Sequence, residues 1–174
     1  IEEQSFFQIN IPQTENLVRL AANMIKLEAG QRLVDGYGGV GLFALNIASA
    51  KNPVLLFDYS LPAVEDAVYN ARAMGFQDFT AFAGNAAEAF AGAGEAPRLI
   101  VDPPRTGLGL AAVEEMSRFR AERIVYVSCN PTTLARDLRY LIERGYAVRR
   151  VVPVDMFPHT YHMETVVLMS QVDK

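Results

Sequence analysis

Seven short runs rich in β-branched and aliphatic residues alternate along this chain with stretches of helical periodicity, and that alternation limits the fold more than any single residue does. The apolar runs fall at residues 32–35, 54–58, 78–83, 99–102, 124–128, 146–154 and 165–171. A helical pattern covers 13–27, and others lie between the runs at 42–50, 62–74, 86–91, 111–119 and 132–144. Strands joined through helices pair in parallel and bury both faces. The last two runs break the rule, because only about ten residues separate them and no helix fits between. A parallel crossover needs a dozen or more, so these two should pair antiparallel. The expectation is an α/β domain: a mostly parallel seven-stranded sheet with an antiparallel C-terminal strand and helices on both faces.

Length and composition narrow the class. At 174 residues the chain suits one domain, taken here as 1–174, and 51% hydrophobic content argues against disorder. No apolar stretch approaches the ~20 residues of a membrane span. A lone cysteine, Cys129, excludes a disulfide framework and a cysteine-based metal site, and a free thiol suits a reducing, cytoplasmic setting. The net charge of −4 gives no general attraction for phosphate backbones. The opening Ile-Glu-Glu-Gln, with no initiator Met, reads as part of something longer.

Chemistry gathers where the strands end. Asp35-Gly-Tyr37-Gly-Gly39-Val-Gly41 follows the first strand and leads into a helix, a loop that lets backbone approach a ligand. The second strand ends in Asp58, 23 residues after Asp35, where a carboxylate can take ribose hydroxyls. Gly84-Asn85 after the third strand supplies an amide for an adenine edge. A carboxylate opening the glycine loop repels pyrophosphate and suits a sulfonium or ammonium, so the loop favours S-adenosylmethionine over NAD. The plain alternative is a tight turn at Gly39–Gly41 with Asp58 as a helix cap.

Three further patches share that sheet edge. Asp102-Pro-Pro-Arg105 forms a rigid shelf, since proline fixes φ and donates no hydrogen bond. Ser128-Cys129-Asn130-Pro131 places a thiol just before a helix that Asn130 can cap, and a helix N-terminus favours the thiolate. The segment from Asp155 to Glu164 delivers a carboxylate at the start of an apolar strand, where burial would raise its pKa. Arg105, Asn130, Phe157 and His159 are candidate substrate contacts, with Phe157 placed to stack on a base. Two histidines without a defined carboxylate partner do not make a metal site, and none is expected. A buried structural cysteine and an ordinary strand-edge glutamate are the plain alternatives for Cys129 and Glu164.

Taken with Phe6-Phe7-Gln8-Ile9-Asn10 and Phe157-Pro158-His159-Thr160, these motifs resemble the RNA uracil-5 methyltransferases, enzymes that make 5-methyluridine in tRNA or rRNA. The resemblance runs end to end, in the family's order. It implies a Rossmann-like S-adenosylmethionine-dependent methyltransferase fold and S-adenosylmethionine as cofactor. By motif position Gln8, Tyr37, Asp58, Asn85 and Asp102 would contact that cofactor, beside Gly39 and Gly41 of the loop. Cys129 would be the nucleophile, forming a covalent adduct with uracil, and Glu164 the proton acceptor. The target would be a single-stranded or loop uridine, and RNA-binding and central domains would lie upstream. Two positions depart from the family pattern: the loop has Gly36 and Gly38 beside its tyrosine, and Asn85 stands where an aspartate is usual. An exocyclic-amine methyltransferase, which would carry an aromatic at Arg105, and an inactive RNA-binding module remain rival readings, with a nicotinamide oxidoreductase behind them.

Overall fold

A computed structural model describes residues 11–92, 98–156 and 163–172. The elements are α1 (Ile11–Ile25), β1 (Leu33–Gly36), α2 (Leu42–Ile47), β2 (Val54–Asp58), α3 (Leu61–Ala73), β3 (Phe79–Ala83), α4 (Ala86–Gly92) and β4 (Arg98–Val101). They continue with α5 (Gly109–Ser117), β5 (Arg123–Ser128), α6 (Pro131–Glu143), β6 (Tyr146–Asp155) and β7 (Met163–Gln171). All seven strands form one sheet in the order β3-β2-β1-β4-β5-β7-β6. β1 to β5 run parallel, and β7 lies antiparallel between β5 and β6. The expected architecture is therefore the observed one.

Period-two alternation explains the two cores. Leu33, Ile100, Val125, Val127 and Val166 point to one face, where Leu17, Ala21, Met24 and Ile25 of α1 and Phe43 of α2 cover them. Val34, Leu99, Val101, Ile124, Tyr126 and Val167 point to the other, against Val113 and Met116 of α5 and Leu134 and Leu141 of α6. Each fully buried aliphatic side chain stabilises the fold by about 1.5–3 kcal/mol. α2 stops at Ile47, three residues short of the expected end. The buried Asn52 draws the chain away: its Oδ1 accepts from the Ser49 N–H (2.9 Å) and hydroxyl (2.6 Å), turning 49–52 back toward β2.

Two topological facts place the functional edge. β1 and β4 are neighbours although two strands separate them in sequence, and the loops leaving such a switch point diverge into a crevice. β7 runs the other way from β5, with Ser128 opposite Thr165. Its beginning therefore sits at the edge where β1, β2, β4 and β5 end, which puts Glu164 beside Cys129.

Candidate active site

The crevice is a cleft of about 510 Å³ walled by Tyr37, Gly39, Asp58, Asp102, Arg105, Cys129 and Glu164. That volume lies in the range of small-molecule and cofactor sites. Its cofactor-side floor is the loop after β1. Gly38 there has no room for a side chain, since a Cβ would lie 2.7 Å from Leu56 Cδ1 and 3.0 Å from Asp35 Cγ. At Gly36 a Cβ would meet Phe57 Cζ at 2.8 Å. At both positions side chains of the neighbouring strands, Leu56 and Phe57 of β2 nearest, occupy the space that a side chain would need. Between them Tyr37 holds a left-handed φ of 63°, a conformation that non-glycine residues rarely adopt. Its ring is fixed against Phe57 and Tyr59 at centroid distances of 5.6 and 5.9 Å, and burial pushes its phenol well above the usual range.

Asp58 ties the loop to β2. Its Oδ2 accepts from Gly39 N–H (3.0 Å) and its Oδ1 from Ser60 N–H (2.9 Å), and each oxygen keeps a lone pair for a further donor. The expectation that Asp35 faces a cationic ligand is not met. Asp35 is fully buried beneath the loop, where Oδ2 accepts from Ala44 N–H (2.9 Å) and Oδ1 has no partner among the described residues. Burial, with a smaller push from Asp58, raises its pKa to about 7. The native state therefore keeps a proton that the unfolded chain releases near pH 4, and stability falls as pH rises from about 4 to about 7. Asp35→Asn keeps the bond to Ala44 and removes the buried charge. It should stabilise the protein by about 1–3 kcal/mol at pH 8 and by little at pH 4. Thermal melts at the two pH values check this; an equal gain at both would show that the charge is not the cause.

The reaction side is acidic. Asp102 follows β4, with its N–H bonded to Gly36 O (3.1 Å). Burial and then the charges of Glu164, Asp35 and Asp58 hold its carboxyl well above the usual range. Burial also raises Glu164, whose Oε2 is shielded and unpartnered among the described residues. Cys129 is half-buried, and here the structure corrects the sequence. Its position before α6 was expected to favour the thiolate, yet burial, Glu164 and Asp102 raise the thiol, outweighing the lowering by Arg105 and a backbone hydrogen bond. Burial and two neighbouring acids outweigh one arginine and one backbone hydrogen bond.

Asn85 is exposed and caps α4 by accepting from Ala87 N–H (2.8 Å), and it does not line the cleft. Gly41 starts α2 and also stands behind the wall. Asn130 caps α6, its Oδ1 accepting from Thr132 N–H (3.0 Å), while its Nδ2 donates to Arg105 O (3.0 Å). Its side chain holds the loops around Cys129 and is not among the cleft walls. Gln8, Phe157 and His159 lie outside the described residues. Sequence reading missed Tyr59, an exposed ring on the cleft rim directly after Asp58, and the buried Asp137 of α6. Asp137 had a signal: at three residues from Leu134 and four from Leu141 it falls on the helix's apolar stripe. No group of three or more His, Cys, Asp or Glu among the described residues could hold a metal ion. Among the described residues no helix is long and apolar enough to cross a membrane.

Relatives carry the same fold and region. An uncharacterized RNA methyltransferase of Bacillus cereus is 40% identical over 188 residues, covering all of this chain and 39% of that protein. One from Thermotoga maritima is 37% identical over 181 residues, covering all of this chain and 40% of that protein. The chain thus spans about two fifths of the length of these relatives. The crystal structure of Pyrococcus abyssi tRNA (uracil-54, C5)-methyltransferase, in complex with S-adenosyl-L-homocysteine, superposes with a TM-score of 0.84 at 37% identity, over 97% of this chain and 41% of that one. TrmN from Thermus thermophilus, at 19% identity and a TM-score of 0.71, shares the fold alone. The tRNA (uracil-5-)-methyltransferase family profile matches residues 1–172, and the chain belongs to that family.

Proposed function

We propose that this chain is the catalytic domain of an enzyme that transfers a methyl group from S-adenosylmethionine to carbon 5 of a uridine in tRNA or rRNA, through a covalent bond from Cys129 to the base. One observation carries the reading: Cys129 and Glu164 leave adjacent antiparallel strands and face one cleft, whose other wall is the Tyr37–Asp58 loop region. The cleft fits the cofactor. Asp58 has lone pairs free for ribose hydroxyls, and two raised carboxyls crowd a site that a positive ligand would relieve. When bound, S-adenosylmethionine supplies an electrophilic methyl group on a sulfonium, the positive charge that this acidic wall favours.

The residues then divide the labour. Carbon 5 of uracil is a weak nucleophile. The Cys129 thiolate adds to carbon 6 and pushes electron density toward carbon 5 and the carbon-4 oxygen, which splits one hard step into two easier ones. Arg105, on the cleft wall, is available to the charge that develops on that oxygen. Once carbon 5 holds both a hydrogen and the methyl group, Glu164 takes the proton. The electron pair left behind re-forms the carbon 5–carbon 6 double bond and expels the thiolate. The uridine must be out of any base stack to reach the sulfur, which favours a single-stranded or loop target.

The test uses RNA carrying 5-fluorouridine, whose fluorine cannot leave as a proton does. With S-adenosylmethionine present, the intact protein should form a complex that survives a denaturing gel. Because burial and the nearby acids raise the thiol, the rate of adduct formation should climb with pH, about tenfold per unit below the thiol's pKa. No adduct at any pH would overturn the proposal.

A further inference from the structure

We infer that α6 acts as a splint that fixes the Arg105 loop relative to Cys129, with Thr133 and Asp137 as positioning residues for the Arg105 side chain. The inference rests on the proposed role of Cys129 and adds how its cationic neighbour is held in place.

The loop from Pro103 to Leu108 needs outside support. Neither Pro103 nor Pro104 has an N–H, and within the stretch Gly107 N–H donates to Pro104 O (2.8 Å). Two of its carbonyls and the amides at its end meet one face of α6, turn by turn. Arg105 O accepts from Asn130 Nδ2 and from Thr133 Oγ1, both at 3.0 Å. Thr106 O accepts from Arg136 Nη2 (2.8 Å). Leu108 N–H donates to Asp137 Oδ2 (2.7 Å) and Gly109 N–H to Asp137 Oδ1 (3.3 Å). Positions 130, 133 and 136–137 follow the helical repeat, so a loop about 30 residues upstream is read by one helix stripe.

Asp137 is the anchor of this stripe. It is fully buried, and besides the two loop amides it accepts from the Tyr126 hydroxyl (2.7 Å) and from Arg136 Nε (3.0 Å). A buried carboxylate with every partner in place holds its surroundings in one arrangement. Steric fit says the same. Gly107 has a φ of +74°, and a Cβ there would collide with Asp137 Oδ2 and lie 2.8 Å from Arg136 Nη2 and 3.1 Å from Thr133 Cβ. The loop lies flat on three of the residues that bond it.

Function enters through what the loop carries. Arg105 lines the cleft with Cys129 and opposes the acidic groups that raise the thiol. The helix that begins two residues after Cys129 thus also holds the backbone of Arg105, and one rigid body sets the position of nucleophile and cation together.

Alkylation of Cys129 by iodoacetamide, followed across pH by peptide mass spectrometry, reports the thiolate directly and needs no RNA. Thr133→Val keeps the shape and removes one bond to Arg105 O. Asp137→Asn puts an amide where two backbone donors need an acceptor. Both should raise the apparent thiol pKa and slow alkylation at neutral pH, by about twofold for Thr133→Val and at least about threefold for Asp137→Asn. Thr133→Ser, which retains the hydroxyl, should behave as the unmodified protein. Circular dichroism melts identify any variant that has unfolded, and Thr133→Val stands as the test should Asp137→Asn do so. A folded Thr133→Val with an unchanged alkylation profile would overturn the splint. Failure of the covalent mechanism would look different: no fluorouridine adduct in the unmodified protein, whatever the alkylation profile.

Discussion

Replacing Cys129 by alanine should lower the proposed methyl transfer to uridine by at least about 10⁴-fold, equivalent to ~5.5 kcal/mol of barrier. The reason lies in the base. Without a nucleophile at carbon 6, carbon 5 has too little electron density to accept the methyl group, and no other cysteine stands in the chain to substitute. Binding of S-adenosylmethionine should stay within about threefold of the unmodified protein, because the Tyr37 and Asp58 wall is untouched. The measurement pairs incorporation of labelled methyl into RNA with calorimetric titration of the cofactor. Retained turnover would favour an exocyclic-amine methyltransferase, in which the thiol has no task. Loss of cofactor binding in the unmodified protein as well would favour a module that kept the fold without the activity.

Glu164→Gln has the second largest effect, and it falls on a different step. The amide cannot take the proton from carbon 5, so the thiol cannot be expelled. Turnover should drop by about 10²–10⁴-fold while the adduct still forms and accumulates on ordinary, non-fluorinated RNA. A denaturing gel that follows the adduct over time separates the two roles: Cys129→Ala gives none, and Glu164→Gln gives one that persists. Glutamine also removes a negative charge that raises the Cys129 thiol. Adduct formation in this variant should therefore be as fast as in the unmodified protein or faster near neutral pH, whereas release is slow. Normal turnover would show that Glu164 is not the base.

The sheet was legible because its signals are local and periodic. Apolar runs of strand length, the helical patterns between them and one gap too short for a crossover were enough to place β7 antiparallel to β6. Cys129 and Glu164 were singled out by their motifs and the resemblance to a family, and the structure brings the two to one cleft. The ionisation of Cys129 was not legible. A helix start is visible in Asn130-Pro131, but Asp102 and Glu164 lie 27 residues before and 35 after the thiol, and only the folded sheet sums their fields at the sulfur. Asp35 misled for a related reason. Its position in the glycine loop is that of a ligand contact, whereas the turn at Tyr37 folds the loop over it and leaves it to anchor α2. Asn85 and Asn130 matched binding motifs, and in the structure each also caps a helix, a role that the same residue type fills equally well.

The insertion of β7 between β5 and β6 has a consequence for biosynthesis. During translation the thiol emerges 35 residues before its carboxylate, and until β7 docks, β5 is an open sheet edge. A nascent or prematurely terminated chain can therefore complete β1 to β5, glycine loop included, and still lack Glu164, the acid proposed to release the base. The pairing of Cys129 with Glu164 exists only once β7 has docked on β5.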